Sequence, residues 1–217
     1  MTTVRLAGRN PALEAHAAAL YSDALPYHNF LHVQDTLRAA ETILERCRAE
    51  NIRADSDVVY YALLFHDARY QDDHIAQGYR SKEAYSAALA AEALSDAGVA
   101  PAKIRKCTAA ILATERDGTF VSAEQKAVRA ADLSGMAAEY AEFLRHSLKL
   151  KREYELLHGT ELRWADWQRI SAEVLGHYLS QEIRLTSYFH DERGESKFHA
   201  RLRSNLGRLL EEPVAPI

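Results

Sequence analysis

From Val33 onward the apolar positions Val33, Leu37, Ala40, Leu44 and Cys47 recur at alternating steps of four and three. That spacing marks one stripe of a helix and predicts an amphipathic helix over about 27–49. The segment at about 57–67 differs, because Val58, Val59, Tyr61, Ala62, Leu63, Leu64 and Phe65 leave almost no polar side. Such a helix must be enclosed by others. A third helix is expected from about Ser81 to Asp96, with Gly98 as its stop signal. Pro101 suits the first turn of a fourth helix, 101–115. Ser122 and Gln125 form a capping-box pattern that opens a fifth at about 123–132 or further. Longer helical patterns cover roughly 135–158 and 164–189, a last helix is expected over 195–211, and the tail EEPVAPI reads as a mobile end.

Composition agrees with the pattern. Five prolines and nine glycines are few for 217 residues, and β-branched clusters of period two are missing. An all-α fold is therefore expected. With no repeat, low-complexity tract or linker, the chain reads as a single domain, 1–217, long enough for a real core. The net charge of −4 is spread along the chain and gives no electrostatic case for nucleic acid or an anionic membrane as partner. No apolar run has the length to cross a bilayer, and MTTVRLAGRNPALEAHAAAL lacks the compact apolar region of a secretion signal. Cys47 and Cys107 lie far apart in helical patterns and read as free buried thiols of a reducing compartment. A soluble cytoplasmic protein is the expectation.

The chemistry concentrates in YYALLFHDARYQDD, residues 60–73, where the apolar run ends in His66 and Asp67. An ionised carboxylate at the end of a buried helix faces a desolvation cost of several kcal/mol unless it is paired. The negative end of the helix dipole adds to that cost. A divalent cation would answer both problems, and so would a salt bridge to arginine. His28 and His32 stand one helical turn apart in PYHNFLH, a spacing that fits a shared metal or polar residues at the edge of the core. A second His-Asp pair, His190-Asp191 in SYFHDERGES, is followed at once by charged residues and Gly194 and reads as an exposed turn.

His32, then His66-Asp67 closing an apolar helix, then Asp132 in RAADLSGM, resembles the H…HD…D signature of the HD-domain metal-dependent phosphohydrolases. YHNFLH, Tyr70, Glu83 and Ser86-Ala87 in KEAYSA, REY at 152–154 and RSNL at 203–206 resemble one compact bacterial branch, over about 27–210. The resemblance implies a helical bundle in which His32, His66, Asp67 and Asp132 hold one divalent ion, with Mn, Fe, Co, Ni, Mg and Zn all compatible with that ligand set. Asp67 would also orient the attacking water, and Glu83, or an acid of Asp72-Asp73, would protonate the leaving alcohol. His28, Arg69, Tyr70 and Arg152 are the candidates for binding substrate. Arg80, Lys149 and Lys151 are further cations suited to phosphate.

The polar stretch from Arg69 to Arg80 is either a rim over the site or a plain connection. Only His74 lies among the positions where relatives with two metals carry extra histidines, and ATERD offers Glu115 and Asp117 there instead, which favours one ion. Trp164 and Trp167 read as helix-packing aromatics. Three functions follow: hydrolysis of a small phosphorylated molecule, nucleotides being the foremost class; a metal-retaining nucleotide-binding or regulatory module without turnover; or a salt-bridged core network. Oligomeric state is left open, a homodimer included.

Overall fold

A computed structural model describes residues 9–213. The expected mobile tail falls partly on 214–217, and the reading of the N-terminus partly on 1–8; these lie outside the described residues. Among the described residues there are nine α-helices and no β-strand, so the fold is all-α. No helix among them is long and apolar enough to cross a membrane. Contacts group the chain into two compact units, one ending at Asp132 and one beginning at Leu133. No linker marks the divide in the sequence, because the helix ending at Asp132 runs directly into a 3-10 turn at Leu133–Ala137.

The first unit contains α1 (Pro11–Ala18), α2 (Phe30–Ala49), α3 (Ser56–Phe65), α4 (Lys82–Asp96), α5 (Pro101–Leu112) and α6 (Ala123–Asp132). The all-apolar segment is its centre: α3 packs against α1, α2, α4, α5 and α6, and Val58, Val59, Ala62, Leu63, Leu64 and Phe65 are wholly buried. Each such large side chain stabilises the fold by about 1.5–3 kcal/mol relative to exposure. The stripe of α2 is buried as its spacing requires, from Val33 to Cys47. Both cysteines are free and buried.

Local signals set the helix ends. Asn29 accepts the Leu31 N–H at 2.9 Å and donates to the Leu25 carbonyl at 2.8 Å, so α2 starts at Phe30 rather than at 27. Ser81 caps α4 by accepting the Ala84 N–H at 3.0 Å, and Gly98 follows the helix with φ of 72°, a conformation that favours glycine. The capping box forms in both directions: Gln125 accepts the Ser122 N–H at 2.9 Å, and Ser122 accepts the Gln125 N–H at 3.2 Å. α5 stops at Leu112, short of the expected 115, because the buried Arg129 side chain gathers carbonyls of the turn that follows. α1 was not anticipated, although Asn10 and Pro11 form a start signal; Asn10 accepts the N–H groups of Ala12 and Leu13, both at 3.1 Å.

The second unit contains the 3-10 turn, α7 (Tyr140–His158), α8 (Trp164–Leu179) and α9 (Lys197–Glu211). The tryptophans pack helices, as expected: Trp167 Nε1 donates to Ser147 Oγ at 2.9 Å and Trp164 Nε1 to the Glu212 carbonyl at 2.8 Å. α8 ends at Leu179, not at 189. Buried Ile183 and Leu185 alternate with exposed Glu182 and Arg184, a period of two that no helix face can satisfy. His190 and Asp191 fall in the turn beyond, where Asp191 is exposed, accepts the Arg193 N–H at 2.9 Å and bridges to Gly194.

Candidate metal centre

Three helix ends of the first unit bring the quartet together. His32 stands in the first turn of α2, His66 and Asp67 follow the last turn of α3, and Asp132 is the last residue of α6. His66 Nε2 lies 3.1 Å from Asp67 Oδ2, 3.5 Å from Asp132 Oδ1 and 3.4 Å from His32 Nε2. His32 Nε2 lies 3.5 Å from Asp67 Oδ2 and 3.4 Å from Asp132 Oδ1. All four ligand atoms fall within 4.8 Å of one another, and among the described residues this is the group that could hold a metal ion.

The spacing suits a cation. Bonds of about 2.0–2.2 Å to one ion separate neighbouring donors by roughly 2.8–3.6 Å, from octahedral to tetrahedral arrangement. The tautomer suits it as well. His66 Nδ1 is 2.9 Å from the Leu63 carbonyl, which can only accept, so Nδ1 carries a proton and Nε2 is the ring atom that faces the cluster, where its neutral form would offer a lone pair to a cation. His66 and His32 are buried, whereas the Asp67 and Asp132 side chains keep 15% and 22% exposure, enough for a ligand to approach from the carboxylate side.

The electrostatics ask for positive charge at the centre. Burial disfavours the charged form of His66, but Asp67 and Asp132 outweigh it and hold its pKa well above the ordinary imidazole value. Burial likewise raises Asp67, yet the charges of His66 and His28 bring it down to about 2. Asp132, hydrogen-bonded to His32 and His66, lies well below the usual carboxylate range despite burial. Two helix C-termini add partial negative charge. Among the described residues the ion-pair partners of Asp67 and Asp132 are His32 and His66, not an arginine. The arginine salt bridge left open by the sequence is therefore not what neutralises Asp67.

The remaining candidate residues are divided between the two units. The His28 ring stacks on Tyr70 at 3.6 Å and meets His32 edge-on at 5.8 Å. Glu83, in the first turn of α4, has its pKa raised by burial and by the charges of Asp67, Glu115 and Asp132. Asp73 accepts the N–H groups of Ile75 and Ala76 and so shapes a turn. Arg69 is exposed, with φ of 59°, and its N–H reaches the Leu20 carbonyl at 3.0 Å. A non-glycine residue held in that left-handed conformation, two residues after Asp67, is local strain of about 1–2 kcal/mol imposed by the turn. Arg80 lies 3.0 Å from Glu115. Arg152 belongs to α7 of the second unit, where its exposed side chain is 3.8 Å from Glu155; Lys151 is 2.5 Å from the same carboxylate.

Two contributors escaped the sequence reading. Tyr21 Oη donates to the Leu64 carbonyl at 3.0 Å, and burial together with the Asp67 charge raises its pKa. Nothing in the pattern around Tyr21 signalled this. Lys82 places its ammonium 3.6 Å from the centroid of Tyr70. It adjoins Glu83 in KEAYSA, but a lysine opening a helix reads as solvated. No family model matches the chain, and no curated protein matches it. The cluster is compatible with an HD-type site, and that likeness rests on the four converging side chains.

Proposed function

We propose that the protein is a metal-dependent phosphohydrolase that cleaves a phosphoester of a small molecule, with nucleotides as the foremost substrate class. The observation that carries this reading is the convergence of two imidazole nitrogens and two carboxylate oxygens at 3.1–3.5 Å across their nitrogen–nitrogen and nitrogen–oxygen pairs. A divalent ion held by His32, His66, Asp67 and Asp132 would lower the pKa of a water toward neutrality and offset charge on a phosphoryl oxygen.

The remaining work falls to the chain itself. The Leu63 carbonyl keeps His66 in the tautomer that presents Nε2. Asp67, ionised at neutral pH, accepts a hydrogen bond from the attacking water and orients it. As the water oxygen bonds to phosphorus, the bond from phosphorus to the ester oxygen breaks, and that oxygen leaves as an alcohol once protonated. Glu83 is the proposed donor, because burial and neighbouring acids favour its protonated form.

The test is a panel of nucleotides and sugar phosphates assayed with Mn²⁺ or Co²⁺. Phosphate release that stops on chelation and returns with added metal is the expected result. Silence across the panel, with metal bound, contradicts turnover and leaves a ligand-sensing module.

A further inference from the structure

Resting on the cation site of that reading and not on its hydrolytic step, we propose that Tyr21 is the positioning residue of the metal centre. Its hydroxyl holds the corner on which His66 and Asp67 stand, and its ring holds the start of α2, which carries His32. The end of α3 carries this. In a continuing helix the Leu63 and Leu64 carbonyls would accept from the N–H groups of Asp67 and Ala68. Here His66 Nδ1 donates to the Leu63 carbonyl at 2.9 Å, and the Ala68 N–H turns to the Phe65 carbonyl at 2.9 Å. The Leu64 carbonyl is left to Tyr21 Oη, which donates to it at 3.0 Å.

The far side of the corner is held by the neighbouring residue. Arg69, with φ of 59°, donates its N–H to the Leu20 carbonyl at 3.0 Å. Leu20 and Tyr21 thus grip the chain on both sides of the His66-Asp67 pair, at Arg69 and at Leu64. Both follow α1 directly, in turns whose N–H groups return to the Ala17 and Ala18 carbonyls at 2.9 and 3.1 Å. α1 is itself seated against α3, with Leu13 and Ala17 buried. The Tyr21 ring lies 5.8 Å from that of Phe30, the first residue of α2. One side chain therefore touches two of the three helix ends that supply ligands. Its hydroxyl is also near enough to the cluster for the charges of Asp67 and Asp132 to act on it.

A metal site needs this kind of support. Ligand distances must hold to within about 0.2 Å. The corner after α3 has left the regular helix, so helical hydrogen bonds do not fix it, and the Asp67 and Asp132 carboxylates repel one another across it. Groups that hold ligands from behind are worth about 10- to 100-fold in metal affinity. A phenol delivered from α1 supplies that hold without occupying a coordination position.

Tyr21→Phe keeps the ring against Phe30 and removes only the hydroxyl. Tyr60→Phe is the matched control, because Tyr60 is a buried residue of the same helix α3 whose hydroxyl donates to Glu14 at 2.7 Å, not to the corner. Mn²⁺ binding is measured by calorimetry, Co²⁺ coordination by its visible absorption, and stability of the chelated proteins by urea unfolding. Tyr21→Phe is expected to weaken Mn²⁺ by about 10- to 100-fold and to change the Co²⁺ bands, which follow ligand number and geometry. Tyr60→Phe is expected to lower the urea midpoint with neither change. Wild-type affinity or an unchanged Co²⁺ spectrum in Tyr21→Phe, or an equal loss of affinity in Tyr60→Phe, overturns the assignment. A wild type that binds no Mn²⁺ removes the cation site and the assignment with it. Tyr21-dependent metal binding in a protein that hydrolyses nothing in the panel would sustain the assignment and remove only the hydrolase reading.

Discussion

Replacing His66 with alanine is expected to abolish the thermal stabilisation that divalent cations confer on the protein. In the wild type, Mn²⁺ at about a hundred times its Kd contributes about 2.7 kcal/mol, or roughly 5–10 °C in Tm for a chain of this size. His66 is the hub of the quartet, within 3.5 Å of a donor atom on each of the other three residues. Its loss should weaken the metal by at least about 100-fold, as removal of even a supporting group typically costs 10- to 100-fold. Asp67→Asn serves as a second variant, because it preserves shape and removes one charge; the same loss of response is expected. His190→Ala should leave the response intact, since His190 sits 3.7 Å from Glu182 in a turn of the second unit. Thermal melts with Mn²⁺ and with chelator check all three. Equal shifts in the wild type and His66→Ala would remove the metal site from the account.

The second large effect is expected at Arg129. Its side chain is buried and donates to three carbonyls, those of Ala113 and Glu115 at 2.8 Å and that of Arg116 at 2.9 Å. These belong to the turn after α5, whose carbonyls have no helical partner. The guanidinium also lies over the Phe120 ring, 4.9 Å from its centroid. Arg129→Met fills much of the volume but strands the buried Ala113 carbonyl and takes the donor from the part-buried carbonyls of Glu115 and Arg116, so a loss of about 3–5 kcal/mol is expected. That corresponds to roughly 6–20 °C in Tm. The effect reaches the site as well, because the same turn carries Glu115, which accepts from Ser81 Oγ at 2.7 Å at the start of α4. Urea denaturation of the chelated protein isolates the structural part. A loss below about 1 kcal/mol would show that the turn satisfies its carbonyls without Arg129.

What could be read from the sequence, and what could not, follows from how local each signal is. The stripe on α2 and the apolar belt of α3 are periodic within one helix, and their residues are buried as that periodicity demands. The quartet was legible because each member carried a local oddity or matched the H…HD…D order, above all a carboxylate after an apolar run. Arg129 gave no such sign, since an arginine in a short alanine-rich helix reads as solvated until the turn it caps is in place. Lys82 failed for the same reason: its contact with Tyr70 spans a loop, and spacing within one helix does not encode it. The end of α8 was misjudged where an alternating segment, Glu182 to Leu185, follows a helix without proline or glycine between them. Periodicity within one element and the ordered motif of the quartet were readable, and the contacts that Arg129 and Lys82 make with other elements were not.

The central claim is that a cation is gathered by side chains from the ends of α2, α3 and α6. Anomalous diffraction at the Mn edge, on crystals of chelator-free protein supplied with Mn²⁺, tests it most directly. One ion per chain is predicted, with His32, His66, Asp67 and Asp132 at about 2.0–2.3 Å from it. No peak among those four side chains, or a peak at His190-Asp191 instead, would contradict it.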